Sequence, residues 1–323
     1  MDGILIVNKP QGMTSHDVVS FLRRKTGVRR IGHSGTLDPM ATGVLPVFVD
    51  RATRVIEYAG KPNDPEAKKY RCTMRLGLST DTHDIWGAER ERAPGAQRIR
   101  PDQVTRTDIE RVLKTFEGAG TQKPPMYSAV KVGGRKLYEY ARAGKTVDEE
   151  LLRIRDIYIK QISVIDFDAG AAEATFDIVC SKGVYVRTIC DDAGRLLGCG
   201  AVMSGLVRLA SDGFLIEDAV PISSLEDQTP EEIAARLLPL EDALRSLPRV
   251  DLDEENAAHF QNGRPAQTAE APGHPRKLAP AQAGGGNPIR VYAAETLLGI
   301  GLHNGDIIKP HKVLKQVSAI ETK

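Results

Sequence analysis

Between Gly32 and Pro46 the chain reads GHSGTLDPMATGVLP, and the chemistry of this stretch centres on one carboxylate, Asp38. Pro39 restricts the backbone beside it, while the surrounding glycines let another backbone or a ligand come close. A carboxylate so placed can act as a nucleophile or as a general acid or base, provided its surroundings set its pKa. The plain alternative is a turn aspartate that caps its own backbone. His33 offers a general base, a stacking platform or an ordinary loop histidine. The glycines suggest a phosphate cradle, but the loop has neither a Gly-Lys-Ser/Thr ending nor GxGxxG spacing. The stretch Thr80-Asp81-Thr82-His83-Asp84 has ligand-type side chains without EF-hand length or a partner cluster, so it reads as a turn and no metal is expected.

Aromatic residues stand next to bases in Lys69-Tyr70-Arg71, in Met126 to Lys131, and in Val184-Tyr185-Val186-Arg187. Such pairs suit RNA, because a base stacks on the ring while the cation meets phosphate. Taken singly, each is equally a strand residue with a solvated neighbour. Arg187 lies in what reads as an alternating apolar strand; facing inward it needs an anion, and a loop aspartate is the natural candidate.

The elements that must position these residues follow from periodicity. Gly3 to Val7 is a short apolar strand entering a turn at Lys9-Pro10-Gln11-Gly12. Ser15 is placed to cap a helix from about His16 to Lys25, which Gly27 stops. Gly32 to Gly43 is a loop, Lys69 to Leu76 a strand, and Thr107-x-x-Glu110 a capping box opening a helix to about Phe116. Gly118 to Gly134 is largely loop, and Leu137 to Arg142 is helical. Three alternating segments, Ile162 to Phe167, Ala174 to Cys180 and Val184 to Ile189, read as strands of one antiparallel sheet. Thr229-Pro230-Glu231-Glu232 starts a helix. After Pro248 come a helical piece, Glu254 to Gln261, a Pro/Ala/Gly-rich stretch near 268–288 that reads as a mobile insertion, and short strands at Ile289 to Ala293, Leu298 to Leu302 and Asp306 to Lys309. The fold class is therefore α+β: a mixed, mainly antiparallel sheet over residues 1–247 and a small β-barrel over 248–323.

A chain of 323 residues with 41% hydrophobic and 27% charged side chains can bury a real core, which excludes disorder throughout. No apolar run reaches the roughly 18 residues of a membrane span, and the start carries an acid where a secretory signal carries bases, so a cytoplasmic protein off the membrane is expected. The four cysteines have no CxxC pair or zinc spacing and read as buried free thiols. The formal charge of +1 hides an asymmetry. Leu215 to Phe260 holds twelve acids and three bases, leaving a net +10 elsewhere, with clusters at Arg23-Arg24-Lys25, Arg29-Arg30 and Lys68 to Arg71. That distribution is compatible with a basic face for a polyanion, and equally with solvated helix and strand faces.

Read together, these motifs resemble a known family. Gly32 to Pro46 is similar to the catalytic loop of the TruB family of tRNA pseudouridine(55) synthases. In that family's order follow Lys9 to Ser15, Lys69-Tyr70-Arg71 with Leu76-Gly77 and Thr80-Asp81-Thr82, Pro124 to Ala129, and Gly183 to Thr188 leading to Asp191-Asp192. The likeness covers about residues 3–220, and the last 75 residues or so resemble the family's PUA domain.

The resemblance implies isomerisation of one uridine in the tRNA T loop, at position 55: the bond from N1 to C1′ breaks, the base turns, and C5 joins C1′. It implies no cofactor and no metal. It makes Asp38 the nucleophile, Tyr70 the ring stacked on the target base and Arg187 the cation paired with the aspartate. Tyr185 and Leu206 become pocket positions, His33 packs against the opened T loop, and Lys9 joins the substrate-binding set. The expected partner is the tRNA T stem-loop, bound by a monomer. Ser34 stands where threonine is expected, and Val207 where an Arg-Arg pair is usual, which removes one phosphate contact. A non-catalytic RNA-binding protein or RNA chaperone is the rival reading, rejected because binding alone needs no carboxylate facing a polyanion. A carbohydrate-active enzyme is a distant third, since no second carboxylate partners Asp38.

Overall fold

The computed structural model describes residues 1–60, 64–90, 99–148, 151–267 and 286–314. In chain order the strands are β1 Gly3–Lys9, β2 Ile31–His33, β3 Thr42–Val49, β4 Lys68–Leu76, β5 Gly118–Gln122, β6 Lys131–Val132, β7 Arg135–Lys136, β8 Arg155–Asp168, β9 Glu173–Cys180, β10 Ala201–Ser211, β11 Phe214–Leu215, β12 Val220–Pro221, β13 Arg249–Asp251, β14 Ala266–Gln267, β15 Asn287–Ala293, β16 Thr296–Asn304 and β17 Ile307–Val313. The helices are α1 Ser15–Thr26, α2 Arg106–Lys114, α3 Leu137–Arg142, α4 Val186–Leu196, α5 Pro230–Ala234 and α6 Glu254–Gln261, and a 3-10 segment runs over Asp50–Tyr58. The first sheet is ordered β12-β1-β3-β10-β4-β9-β8-β5, with β2 on β3 and β11 on β10. Among the described residues of this sheet, only the β1/β12 and β3/β10 strand pairings are parallel.

Strict alternation in β4 puts Lys68, Tyr70, Cys72, Met74 and Leu76 inside and Lys69, Arg71 and Arg75 outside. Opposite residues share a face, so Tyr70 and Arg208, and Cys72 and Leu206, point to the same side of neighbouring strands. That side is covered by α1, α2 and α4, and it forms the main apolar core. β3 and β10 approach so closely that a Cβ on Gly43 would lie 2.3 Å from the Arg208 carbonyl oxygen; Gly43, at φ +101°, is what admits the contact.

The helix starts differ from expectation in an informative way. α1 is capped by Thr14, not Ser15: Asp17 N–H donates to the Thr14 hydroxyl at 3.0 Å, and Thr14 N–H donates to the Asp17 carboxylate at 2.8 Å. Ser15, buried at the start of α1, is thereby not needed as a cap. α2 likewise starts from Thr105 and Asp108 rather than at Thr107. Val184 to Ile189 is not a strand: α4 begins at Val186 and runs through Arg187. Its apolar residues Val186, Ile189, Cys190 and Ala193 also satisfy the helical period, and that reading won. β3 and β10 stand at the centre of the sheet although neither is evident as an alternating run. β3 is buried along nearly its whole length, while β10 shifts register between Met203 and Gly205 and again between Arg208 and Ala210.

The second sheet, ordered β13-β15-β16-β17-β14 among the described residues, is a strongly curled half-barrel. Of the expected insertion, positions 268–285 lie outside the described residues, whereas Asn287 and Pro288 already belong to β15. The two sheets share a core. Tyr292, Leu297, Ile300 and Leu314 cluster with Ile4, Phe48, Val55 and Leu244. Arg54 donates to the Val313 carbonyl at 2.6 Å, and Lys312 pairs with Glu57 at 2.9 Å. All four cysteines are buried and outside any disulfide, with Cys72 and Cys190 sulfurs 3.5 Å apart. Among the described residues no helix is long and apolar enough to cross a membrane.

Candidate active site

Asp38 sits on the loop between β2 and β3, and the loop is pinned on every side. Leu37, Met40 and Ala41 are buried around it. The Ser15 hydroxyl accepts from Leu37 N–H at 2.8 Å and donates to the Leu37 carbonyl at 3.2 Å. Gly12 N–H donates to the Pro39 carbonyl at 2.8 Å. Lys9, expected to meet substrate, is instead fully buried, and its ammonium donates to the carbonyls of Met13 at 2.6 Å, Pro10 at 2.9 Å and Pro39 at 3.4 Å. Its place is behind the loop, holding Asp38 from below. Burial lowers its pKa to about 8, with the Asp38 charge opposing that fall.

Arg187 reaches Asp38 from the first turn of α4, so the expected pair forms. Its Nε lies 3.4 Å from Oδ2 and its Nη2 3.5 Å from Oδ1. The Arg187 side chain is 4% exposed and that of Asp38 34%, so the aspartate is partly open to solvent while its cation is buried. Arg187 is fixed by shorter contacts, donating to the Tyr127 carbonyl at 2.6 Å and to the Thr82 carbonyl at 3.4 Å. Burial holds the Asp38 carboxyl above the usual carboxylate range; Arg187 and Lys9 pull it down, and Asp84 pushes it further up. The pair therefore moderates the desolvation of Asp38 without cancelling it.

Tyr70 is 8% exposed on β4, with its phenol pushed up to about 12 by burial, against which the neighbouring Arg208 guanidinium pulls down. It stays a neutral phenol at physiological pH, able to donate one proton or stack. Leu206 is half-buried on the same face of β10, its carbonyl beside the Thr42 hydroxyl at 3.5 Å. Tyr185 precedes α4, its backbone held at both ends by Gln122: N–H to Oε1 at 2.7 Å, carbonyl from Nε2 at 3.1 Å. The Arg187 guanidinium lies 5.9 Å from the Tyr185 ring centroid. His33 is held down to about pKa 4 by burial and by Arg208 and His16, so it is a neutral platform rather than a phosphate-pairing cation.

Three groups of the site were not apparent from residue types: the carbonyls of Thr82 and Tyr127 that fix Arg187, and Asp84 close to Asp38. The signal for the two carbonyls was that Thr80-Asp81-Thr82 and Pro124 to Ala129 belong to the motifs of the family resemblance; Asp84 lies outside them, in the stretch read as a turn. The Thr80–Asp84 segment is the expected turn, with His83 at φ +64°. Its carboxylates are engaged: Asp81 accepts from the Tyr127 hydroxyl at 2.9 Å, and Asp84 from the Thr82 hydroxyl at 2.8 Å and Trp86 N–H at 3.0 Å.

The chain is similar to known proteins along most of its length. Residues 23–186 match the family described as TruB family pseudouridylate synthase (N terminal domain), and residues 187–245 match the tRNA pseudouridylate synthase B C-terminal domain. The tRNA pseudouridine synthase B of Symbiobacterium thermophilum is 44% identical over 267 residues, 81% of this chain and 82% of that protein. The protein of the same name from Streptococcus thermophilus is 36% identical over 320 residues, 98% of this chain and all of that one. A solved structure described as a Cbf5-Nop10-Gar1 complex shares the fold with a TM-score of 0.67 at 24% identity, covering 97% of this chain and 85% of that one. A match over half the chain, with relatives above 30% identity along most of its length, places this protein in the TruB family of pseudouridylate synthases.

Proposed function

We propose that the chain isomerises a uridine of tRNA to pseudouridine, at the T-loop uridine of position 55, with Asp38 as nucleophile. The observation that carries this reading is a carboxylate about one-third exposed, gripped by a buried arginine and set on a loop similar to the family's catalytic loop. A base taken out of its stack needs an aromatic face and an apolar wall, and Tyr70 and Leu206 present both from adjacent strands. Asp38 either attacks C1′ and displaces N1, or adds to C6 of the ring before the N1–C1′ bond opens; the base turns, C5 bonds C1′, the Asp38 carboxylate is released from C1′ or C6, and the C5 hydrogen leaves as a proton. Tyr70 supports the uracil, and its hydroxyl is the nearby neutral group able to pass that proton. Arg187 keeps Asp38 oriented and available as the anion, Tyr185 and Leu206 shape the pocket, and His33 packs against the opened loop of the RNA.

The half-barrel after Leu247 serves, in this reading, as the PUA-like RNA-binding part, acting in the cytoplasm on the tRNA T stem-loop. Arg290 and Lys312 already serve inside the fold, toward the Leu247 carbonyl and Glu57, so Lys309 is the better-placed phosphate contact of that sheet. The test is to incubate the purified protein with unmodified tRNA transcript and map pseudouridine by nuclease digestion and mass spectrometry. Product at the T-loop uridine supports the assignment; product elsewhere overturns the position, and no product overturns the activity.

A further inference from the structure

Behind the catalytic loop lies a second charged cluster that the chemistry above does not use. It centres on Asp212, in the tight turn between β10 and β11, where it adopts φ +55° with its carboxylate 1% exposed. Three segments converge on that carboxylate. Lys68 on β4 reaches Oδ2 at 2.8 Å, Lys182, in the turn before α4, reaches Oδ1 at 3.1 Å, and the Ser34 hydroxyl donates to Oδ2 at 3.4 Å. Lys68 stands two residues before Tyr70, Lys182 five before Arg187, and Ser34 four before Asp38. Arg208, four residues before Asp212, completes the set by donating to the carbonyls of Val44 at 2.6 Å and Gly35 at 3.0 Å, on the two flanks of the catalytic loop.

We propose that Asp212 is a positioning residue, whose buried carboxylate ties together the three chain segments that carry Asp38, Tyr70 and Arg187. The inference rests on the proposed isomerase reading. A buried carboxylate paired with a buried lysine is a costly arrangement unless the geometry is held, because the Asp212 and Lys68 charges have left water and losing one leaves the other uncompensated, while Lys182 joins them from a half-exposed position. Its effect is to fix three otherwise separate strands and turns relative to one another. Reacting groups must stand within a few tenths of an ångström of their productive places, and a misplacement of about 1 Å can cost 100-fold in rate. Space for the cluster is reserved as well: a Cβ on Gly60 would meet Asp212 at 2.8 Å, and one on Gly35 would meet the Lys68 ammonium at 3.3 Å.

The cluster has a titration signature. Burial lowers the Lys68 pKa to about 8; Asp212 opposes the fall, while Arg208 and Lys182 add to it, and Cys180 and the Tyr70 phenol are titratable neighbours in the same interior. Removing Asp212 must therefore lower the Lys68 pKa further, and removing Lys182 must raise it.

The experiment uses the full chain and unmodified tRNA transcript, with Asp212→Asn, Lys182→Met and the double variant. Melting temperature, tRNA affinity and single-turnover rate across pH are measured for each. Asp212→Asn should bind within about threefold of wild type yet react at least tenfold more slowly, with the alkaline fall in rate moved to lower pH. Lys182→Met changes a half-exposed side chain and should fold; it should react roughly three- to tenfold more slowly, with the alkaline fall moved to higher pH. The double variant should be no slower than Asp212→Asn. Equal rates in folded variants, losses that multiply, or alkaline limbs that stay in place would each overturn the proposal. If Asp212→Asn does not fold, the direction of the Lys182→Met limb decides alone. A wild-type protein that makes no pseudouridine fails the isomerase reading instead, and the inference with it.

Discussion

Replacing Arg187 by methionine keeps most of the side-chain volume and removes every donor. Two carbonyls, those of Tyr127 and Thr82, lose the N–H groups now at 2.6 and 3.4 Å. A buried acceptor left unpaired costs roughly 1 to 3 kcal/mol, and the shorter contact should account for most of the loss, so stability should fall by about 2 to 4 kcal/mol. The kinetic effect should be larger. Asp38 loses the cation 3.4 Å from Oδ2, and removal of one such fixed electrostatic partner costs roughly 100- to 1000-fold in rate. The pH dependence gives the sharper test. Burial already holds the Asp38 carboxyl above its ordinary range and Arg187 opposes that, so without Arg187 the pKa rises further and the acid-side loss of rate moves to higher pH. Arg187→Lys should recover part of the stability, because one ammonium can meet the Tyr127 carbonyl, but little of the rate, because it cannot span the carboxylate and two carbonyls as a planar fork does. The assay is single-turnover release of tritium from tRNA labelled at uridine C5, run from acid to neutral pH beside thermal melts. A methionine variant within threefold of wild type, or an acid limb that does not shift, would refute the reasoning.

Asp38→Asn should abolish turnover while tRNA binding survives. It should also raise the melting temperature at neutral pH, because a carboxyl whose folded pKa is raised destabilises the fold when charged; the gain should vanish as pH falls through that pKa. Turnover near the wild-type rate, or a lowered melting temperature, would count against it. Tyr70→Phe should retain binding of the flipped base and lose rate only insofar as the hydroxyl moves a proton, whereas Tyr70→Leu should lose stacking worth roughly 1 to 3 kcal/mol; a fully active Leu variant would reduce Tyr70 to a core residue. Ending the chain at Leu247 should weaken tRNA binding and flatten its salt dependence, and, because Tyr292, Leu297 and Ile300 pack on Phe48 and Val55, it should also lower the melting temperature. An unchanged salt slope would remove the RNA-binding assignment from the second sheet, and an unchanged melt would contradict the shared core.

What could be read from residues alone was local or carried by long motifs. The Asp38 loop, the strand of Tyr70, helix α6 and the strands after Pro288 all follow from spacing, turns and periodicity within one segment. The misread pieces are those where burial erases the pattern. β3 is buried on both faces and β10 is interrupted by two register shifts, so neither alternates, and the short apolar run around Val186 fits helix and strand equally. Charge was misleading for the same reason. Lys68 looks like a surface cation in a basic stretch and Lys9 resembles a substrate contact, but the fold turns both inward, Lys9 against carbonyls and Lys68 against a carboxylate more than a hundred residues away. Asp212 in Ser211-Asp212-Gly213 resembles any turn aspartate, and its partners exist only in three dimensions.

The apolar cluster shared by the two sheets makes the molecule a caliper with a fixed opening. β3 leaves the Asp38 loop and runs within eight residues into the 3-10 segment, and that segment carries Arg54, Glu57 and Tyr58 onto the last strand of the second sheet, where Tyr58 meets His311 edge to face. A hinge there would have to unpack Phe48 and Val55 and break the ties to Val313 and Lys312 together. The span between the carboxylate and the far sheet is thus set when the chain folds, and an RNA that touches both ends has to bring a matching length or bend itself to reach it.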